Sequence, residues 1–212
     1  DYIESTKGGG QYVDTEFVNA NSDVIDLRFD LLSVDPNDYN VRDTPPTSYS
    51  MFGARNGDSK SGGATALGMD VNPASGNHQL LFFFCDSTAK LWDARLASDY
   101  PAVGSYEVLC DGKHREIIRP DGTSASKDVA AVTFSAGISS YLFAVNVANV
   151  TLDWPPHPQM RFRSLTMRRG AETHLFLPAL RERDSKPGVY DCFNSRFLEN
   201  KGAGADFVAG PI

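Results

Sequence analysis

Apolar and polar residues alternate with a period of two over much of this chain. In VIDLRFDLL, which starts at Val24, Ile25, Leu27, Phe29 and Leu31 fall on one face and Asp26, Arg28 and Asp30 on the other. A strand with one face on a core and the other in water has that pattern. The segment HQLLFFFC, from His78 to Cys85, is apolar on both faces from Leu80 onward. It is too short and too aromatic for a surface helix and predicts a strand at the centre of a packed sandwich. SYEVLC runs into Asp111-Gly112 and REIIRP into Asp121-Gly122. Asp-Gly is the pair that a tight hairpin with positive φ demands, so these segments predict a β-meander. VAAVTF, SYLFAVNV, MRFRSLTM, THLFLPAL and GVYDCF continue the series. Within MRFRSLTM the apolar phase shifts between Phe162 and Leu165, which predicts a β-bulge. No segment longer than about ten residues keeps a 3.6 period together with a cap and a Gly stop, so little helix is expected. One short turn near Ala94 to Ala97 is the exception.

The stretches Asp35 to Tyr49, Asn56 to Gly63 and Leu152 to Gln159 are rich in Asp, Asn, Pro, Ser and Gly and read as loops. No repeat, low-complexity tract or change of composition marks a linker. The 212 residues are therefore expected to form one domain, residues 1–212, with an all-β, two-sheet antiparallel architecture.

Composition removes several functional classes. Hydrophobic residues are 41% and charged residues 22%, ordinary globular usage that argues against disorder and against a membrane protein. A formal net charge of -7, with no run of Lys and Arg, excludes nucleic acid as the expected partner. No apolar run approaches the ~18 residues of a membrane span. The sequence starts at Asp1 without a Met or a charged and apolar leader, as a trimmed or processed chain would, so its address is hidden. Cys85, Cys110 and Cys192 lack metal-ligand spacing. Three buried thiols is the first expectation; a Cys85–Cys110 disulfide is the alternative.

The strong catalytic signatures are absent: no His-Glu-x-x-His, Gly-x-Ser-x-Gly, P-loop, dinucleotide fingerprint or EF-hand loop occurs. His78, His114, His157 and His174 are scattered and are expected to be isolated surface residues. Asp26 and Asp30 share a strand face as a retaining glycosidase pair would, but that face complements a clean apolar one and reads as solvated. Two loops carry candidate chemistry. In LDWPPHPQ, two prolines stiffen the backbone after Trp154, so its indole could stand out as a platform for a sugar ring, with Asp153, His157 and Gln159 bonding hydroxyls. The same indole could instead fold inward and plug the end of the sandwich. In DPNDYNVRD, Asp35, Asp38 and Asp43 offer the hard oxygens that Ca²⁺ prefers, although their spacing fits no calcium motif and a solvated turn is the competing reading.

YIESTKGGGQYVDTEFVNANSDVIDLRF at the front, SMFGARN and SYLFAVN in the middle, and FLPALRERDSKPGVYDCFNSRFLENKGAGADFVAGP at the back resemble, in order, the laminin-G-like, concanavalin A-like domains of bacterial surface and secreted proteins. The resemblance implies a two-sheet jelly roll and no established catalytic residues. The chain departs from the pattern in a wider first glycine turn at Lys7 to Gly10, in Cys192 after Asp191, and in the long Trp154 loop; loop growth on a stable sandwich is where a binding surface can arise. The closing stretch reads as a hairpin and return strand, with Val189, Tyr190, Phe193 and Phe197 on strands joined through Asn194-Ser195. Tyr190 and Asp191 are expected to bond across to the N-terminal strand near Gln11, Tyr12 and Asp14.

The functional expectation is a non-catalytic, extracellular or cell-surface module that binds a glycan or a cell-surface protein as a monomer. Its contact surface would carry Trp154, Asp153, His157, Tyr39, Tyr49 and Tyr100, with Ca²⁺ a further candidate. The rivals are a polysaccharide hydrolase or lyase on the same fold and a structural spacer without a ligand.

Overall fold

The computed structural model describes residues 1–6, 10–20, 22–33, 49–55, 64–71, 78–85, 95–99, 102–128, 135–147, 150–151 and 159–211. No helix occurs among them. The first strands in chain order are β1 (Ile3–Glu4), β2 (Val13–Ala20), β3 (Val24–Leu31), β4 (Tyr49–Arg55), β5 (Ala64–Val71) and β6 (His78–Cys85). Then come β7 (Arg95–Asp99), β8 (Gly104–Asp111), β9 (His114–Ile118), β10 (Ser124–Asp128), β11 (Ser135–Leu142) and β12 (Asn146–Val147). The last are β13 (Val150–Thr151), β14 (Met160–Arg169), β15 (Glu172–Arg181), β16 (Lys186–Asp191), β17 (Arg196–Leu198) and β18 (Val208–Ala209).

Two sheets hold these strands. The first is ten-stranded, in the order β10-β9-β8-β3-β14-β15-β16-β17, with β1 beside β14 and β18 beside β1. The second is eight-stranded, in the order β13-β12-β4-β5-β6-β7, with β11 between β4 and β2. The pairings among described strands are antiparallel, save that β12 runs parallel to β4. The chain passes repeatedly from one sheet to the other, as in a jelly roll. The inward faces meet in one apolar cluster: Ile25, Leu27 and Phe29 of β3 and Phe162, Leu165 and Met167 of β14 join Val13, Phe17, Phe52, Leu67 and Leu142 of the second sheet. The alternation read in β3 is thus a buried face, and the bulge in β14 falls where the phase shift put it. Phe162 pairs with Phe29 and Ser164 with Arg28, leaving Arg163 as the extra residue.

β14 has a divided outer edge. Pairing with β15 runs from Arg169↔Glu172 to Leu165↔Phe176 and stops there. Two residues on, Pro178 has no N–H to continue the ladder on that side, though it still faces Val189 of β16. β1 takes the vacated edge, with Ile3 opposite Phe162.

Several expectations need correction. β6 is a strand, but it lies one place from the β7 end of its sheet. Ala97 is part of strand β7, and Ala94 lies outside the described residues, as does all of VAAVTF. Gly112 and Gly122 have the positive φ foreseen (80° and 79°), whereas their Asp neighbours do not. Asp111 and Asp121 instead accept the backbone N–H of His114 and Thr123, holding the turns through their side chains. Asp30 is buried, bound by Arg163 and by the Ser105 hydroxyl, because the bulged Arg163 turns its guanidinium toward it. His174 is buried between strands, with Nε2 at 2.7 Å from Glu172 and rings of Phe17, Phe176 and Phe193 around it. Cys110 is a buried free thiol and Cys192 an exposed one, since Cys192 falls on the β16–β17 turn. Phe193 sits on that turn as well, not on a strand.

Candidate binding end of the sandwich

Strand register brings three chain segments to one place. Leu31, the last residue of β3, stands opposite Gly104, the first of β8, and opposite Met160, the first of β14. Just beyond, the Leu32 N–H donates to the Gln159 carbonyl at 3.0 Å. Residues 34–48 leave from β3 here, residues 100–101 enter β8 here, and residues 152–158 enter β14 here. The β8 entry is pinned: the Tyr106 hydroxyl accepts from the Ala102 N–H at 2.7 Å and donates to its carbonyl at 2.9 Å, while the Tyr106 ring stacks on Phe29.

Most of the residues singled out in the sequence belong to these segments. Asp35, Asp38, Tyr39 and Asp43 fall within 34–48, Tyr100 within 100–101, and Asp153, Trp154 and His157 within 152–158; all eight lie outside the described residues. Tyr49 opens β4 opposite Met69, on the second sheet and not on the strand ends of the first.

The outer face of the ten-stranded sheet at this end is a network of ion pairs that sequence reading missed. Glu4 accepts from Gln159 Nε2 at 2.6 Å and from Arg161 Nε at 2.8 Å. Asp30 accepts from Arg163 at 2.9 and 2.5 Å and from the Ser105 hydroxyl at 2.8 Å. The Tyr2 ring lies under both guanidiniums, 4.3 Å from that of Arg161 and 5.0 Å from that of Arg163. Arg161 is held above its ordinary value, first by its hydrogen bond to Glu4. Carboxylates met by guanidiniums in this way fix geometry and are poorly suited to exchange protons with a substrate. The signal available in the sequence was the alternation of Arg161 and Arg163 with Met160 and Phe162, which marks them as outward-facing, but their partners on β1 and β3 depend on long-range register.

No group of three or more His, Cys, Asp or Glu among the described residues could hold a metal ion. No helix among them is long and apolar enough to cross a membrane. Against known proteins, the chain matches no protein-family model and no curated protein sequence.

Proposed function

We propose that this chain is a non-catalytic binding module of laminin-G-like, concanavalin A-like type that works outside the cell, secreted or on a bacterial surface, and holds a glycan or a glycosylated surface protein at the end of the sandwich where β3 leaves and β8 and β14 begin. The observation that carries this reading is the adjacency of Leu31, Gly104 and Met160. Three segments rich in aromatic and hydroxyl-bonding residues are thereby anchored side by side on rigid strand ends, the arrangement by which a sandwich presents a composite binding surface. Trp154 supplies the stacking face and Asp153, His157, Tyr39 and Tyr100 the polar contacts. Ca²⁺ would be held by the carboxylates of Asp35, Asp38 and Asp43. The arginine-bound carboxylates on the adjoining sheet face favour binding over hydrolysis at this end.

A glycan array probed with the purified domain, with and without Ca²⁺ and beside Trp154→Ala, tests the reading. Binding that disappears in the variant supports it, and loss on chelation adds the acidic segment to the site. Binding unaffected by Trp154→Ala removes the loop end as its location, and silence across the array leaves a spacer.

A further inference from the structure

On the opposite sheet, Tyr12, Tyr141 and Asp14 form a cluster that the loop end does not include. Val13, Thr15 and Phe17 point into the core, so Tyr12 and Asp14 share the outer face of β2 and the residue leading into it. Tyr141 of β11 stands directly opposite Asp14, and its neighbour Leu142 faces the core. The two phenol rings stack with centroids 4.6 Å apart and planes 25° from parallel. Tyr141 is mostly covered while Tyr12 keeps part of its surface in water.

The polar atoms around this pair make few hydrogen bonds among the described residues. Asp14 spends Oδ1 on the Glu16 N–H at 2.8 Å, and its Oδ2 bonds no other described residue. Neither phenol hydroxyl bonds another described residue. Both phenols are pushed above their ordinary value, first by burial and then by the charge of Asp14, so they remain protonated donors. The backbone beside them departs from regular strand. Between Asp14↔Tyr141 and Val18↔Ser139 the register of β2 on β11 shifts, and Glu16 sits at φ 56°. A non-glycine residue in that region costs energy, and bulges of this kind aim side chains at sites. Here the bulge sends Glu16 outward to Arg196, at 2.5 Å.

We propose that Tyr12, backed by Tyr141 and flanked by Asp14, is a stacking platform for a neutral hexopyranose, a second carbohydrate subsite on the other sheet that shares no residue with the loop end. It rests on the reading that the chain binds carbohydrate, not on where the loop-end site lies. The apolar C–H face of a pyranose matches the face of a phenol ring such as that of Tyr12, which is partly exposed. Oδ2 of Asp14 accepts a sugar hydroxyl, and the phenol hydroxyls donate to ring or hydroxyl oxygens. The carboxylate of Asp14, on a chain of net charge -7, repels phosphate, sulfate and nucleic acid.

The test is an NMR titration of the domain, with tyrosine ring resonances assigned, against methyl hexopyranosides of gluco, galacto and manno configuration and their disaccharides. Shifts in the Tyr12 and Tyr141 rings are expected in the wild type and in Trp154→Ala alike. Affinity should fall about tenfold in Tyr12→Ala, persist in Tyr12→Phe, and drop in Asp14→Asn. Tyr12→Phe guards against misfolding in the alanine variant, and the wild-type shifts do not depend on any substitution. Unmoved Tyr12 and Tyr141 rings with sugar-dependent shifts elsewhere would overturn the subsite and leave the carbohydrate reading standing. No shift anywhere would sink both. Ring shifts produced by methylammonium and not by the sugars would replace the pyranose with a cationic ligand and equally overturn the proposal.

Discussion

The guanidinium of Arg169 grips the fully buried carboxylate of Asp23, with Nε 2.7 Å from Oδ1 and Nη2 2.8 Å from Oδ2. The same Nη2 donates to the Val18 carbonyl, Asp23 Oδ2 accepts the Ala20 N–H, and the guanidinium lies 5.0 Å from the Phe17 ring centroid. One residue at the end of β14 thus fastens the β2–β3 connection, where the chain crosses between sheets.

Removing one member of such a pair strands the other. Asp23→Ala is expected to destabilise the domain by about 2 to 3 kcal/mol, below the full cost of breaking a buried pair because Arg169 is partly exposed. That corresponds to a fall of about 5 to 10 °C in Tm, read by circular dichroism. A Tm equal to wild type would show that the pair contributes nothing to stability.

The two ends of the chain are joined by Gln11 and Asn200, not by Asp191. Gln11 Oε1 accepts from the Thr6 N–H and hydroxyl, and Nε2 donates to the Ala205 and Asp206 carbonyls. Asn200 Oδ1 accepts from Tyr12 and Gly202 N–H. Gln11→Ala should cost about 1 to 3 kcal/mol and expose the Lys201 amide, which donates to the Tyr12 carbonyl, to hydrogen exchange. Amides in β8 and β9 should stay protected; equal loss in both places would mean that the substitution acts globally.

Asp191 still matters, for a different reason. It is fully buried and accepts from the Phe193 and Asn194 N–H and from Asn194 Nδ2, beside His174. Asp191→Ala is therefore expected to lower Tm by several degrees through the β16–β17 turn, with exchange speeding at Phe193 and Asn194 and not at Lys201. Exchange that accelerates at Lys201 instead would restore a clasp role.

Acid should loosen the tip of the β15–β16 hairpin. Arg181, hydrogen-bonded at 2.7 and 2.9 Å, draws the Asp184 carboxyl down from 3.8 to about 2. Because the folded value is depressed, the stabilisation is present above the unfolded value and is lost as pH falls from about 4 toward 2. The Tm difference between wild type and Asp184→Asn should be largest near neutrality and close toward pH 2. A difference that holds constant with pH would exclude the ion pair as its source.

Thiol reagents should separate two cysteines. Cys192 is exposed, whereas Cys110 is buried and its thiol pushed up, chiefly by burial. Peptide mapping after brief labelling of the native protein should find Cys192 modified and Cys110 intact until denaturant is added. Early labelling of Cys110 would show that the β3–β8 region opens readily.

Local patterns in the sequence were enough for several strands, β3, β6, β8, β9, β14, β15 and β16 among them, and for one irregularity. The alternation in β3 and the phase break in MRFRSLTM each involve neighbours a few residues apart, and β3 and the Arg163 bulge follow from them directly. What stayed hidden depends on distant partners. Asp30 reads as solvent-facing because its strand mates Asp26 and Arg28 are, yet Arg163 from β14 and Ser105 from β8 cover it. His174 looks isolated because Phe17, Phe193 and Asp191 reach it from elsewhere in the chain. The candidate site was legible only as composition: aromatic and acidic loops could be picked out, but the shared anchorage of three of them at Leu31, Gly104 and Met160 follows from register.

The pairing of β1 with β18 also sets how the domain answers a mechanical pull. Ile3 lies opposite Ala209 in an antiparallel pair, so tension applied through the two ends acts across the strands and loads their hydrogen bonds one after another. A tether attached at both ends would first peel these short strands apart at low force, then meet resistance at Gln11 and Asn200, before the longer strands of the sandwich are disturbed.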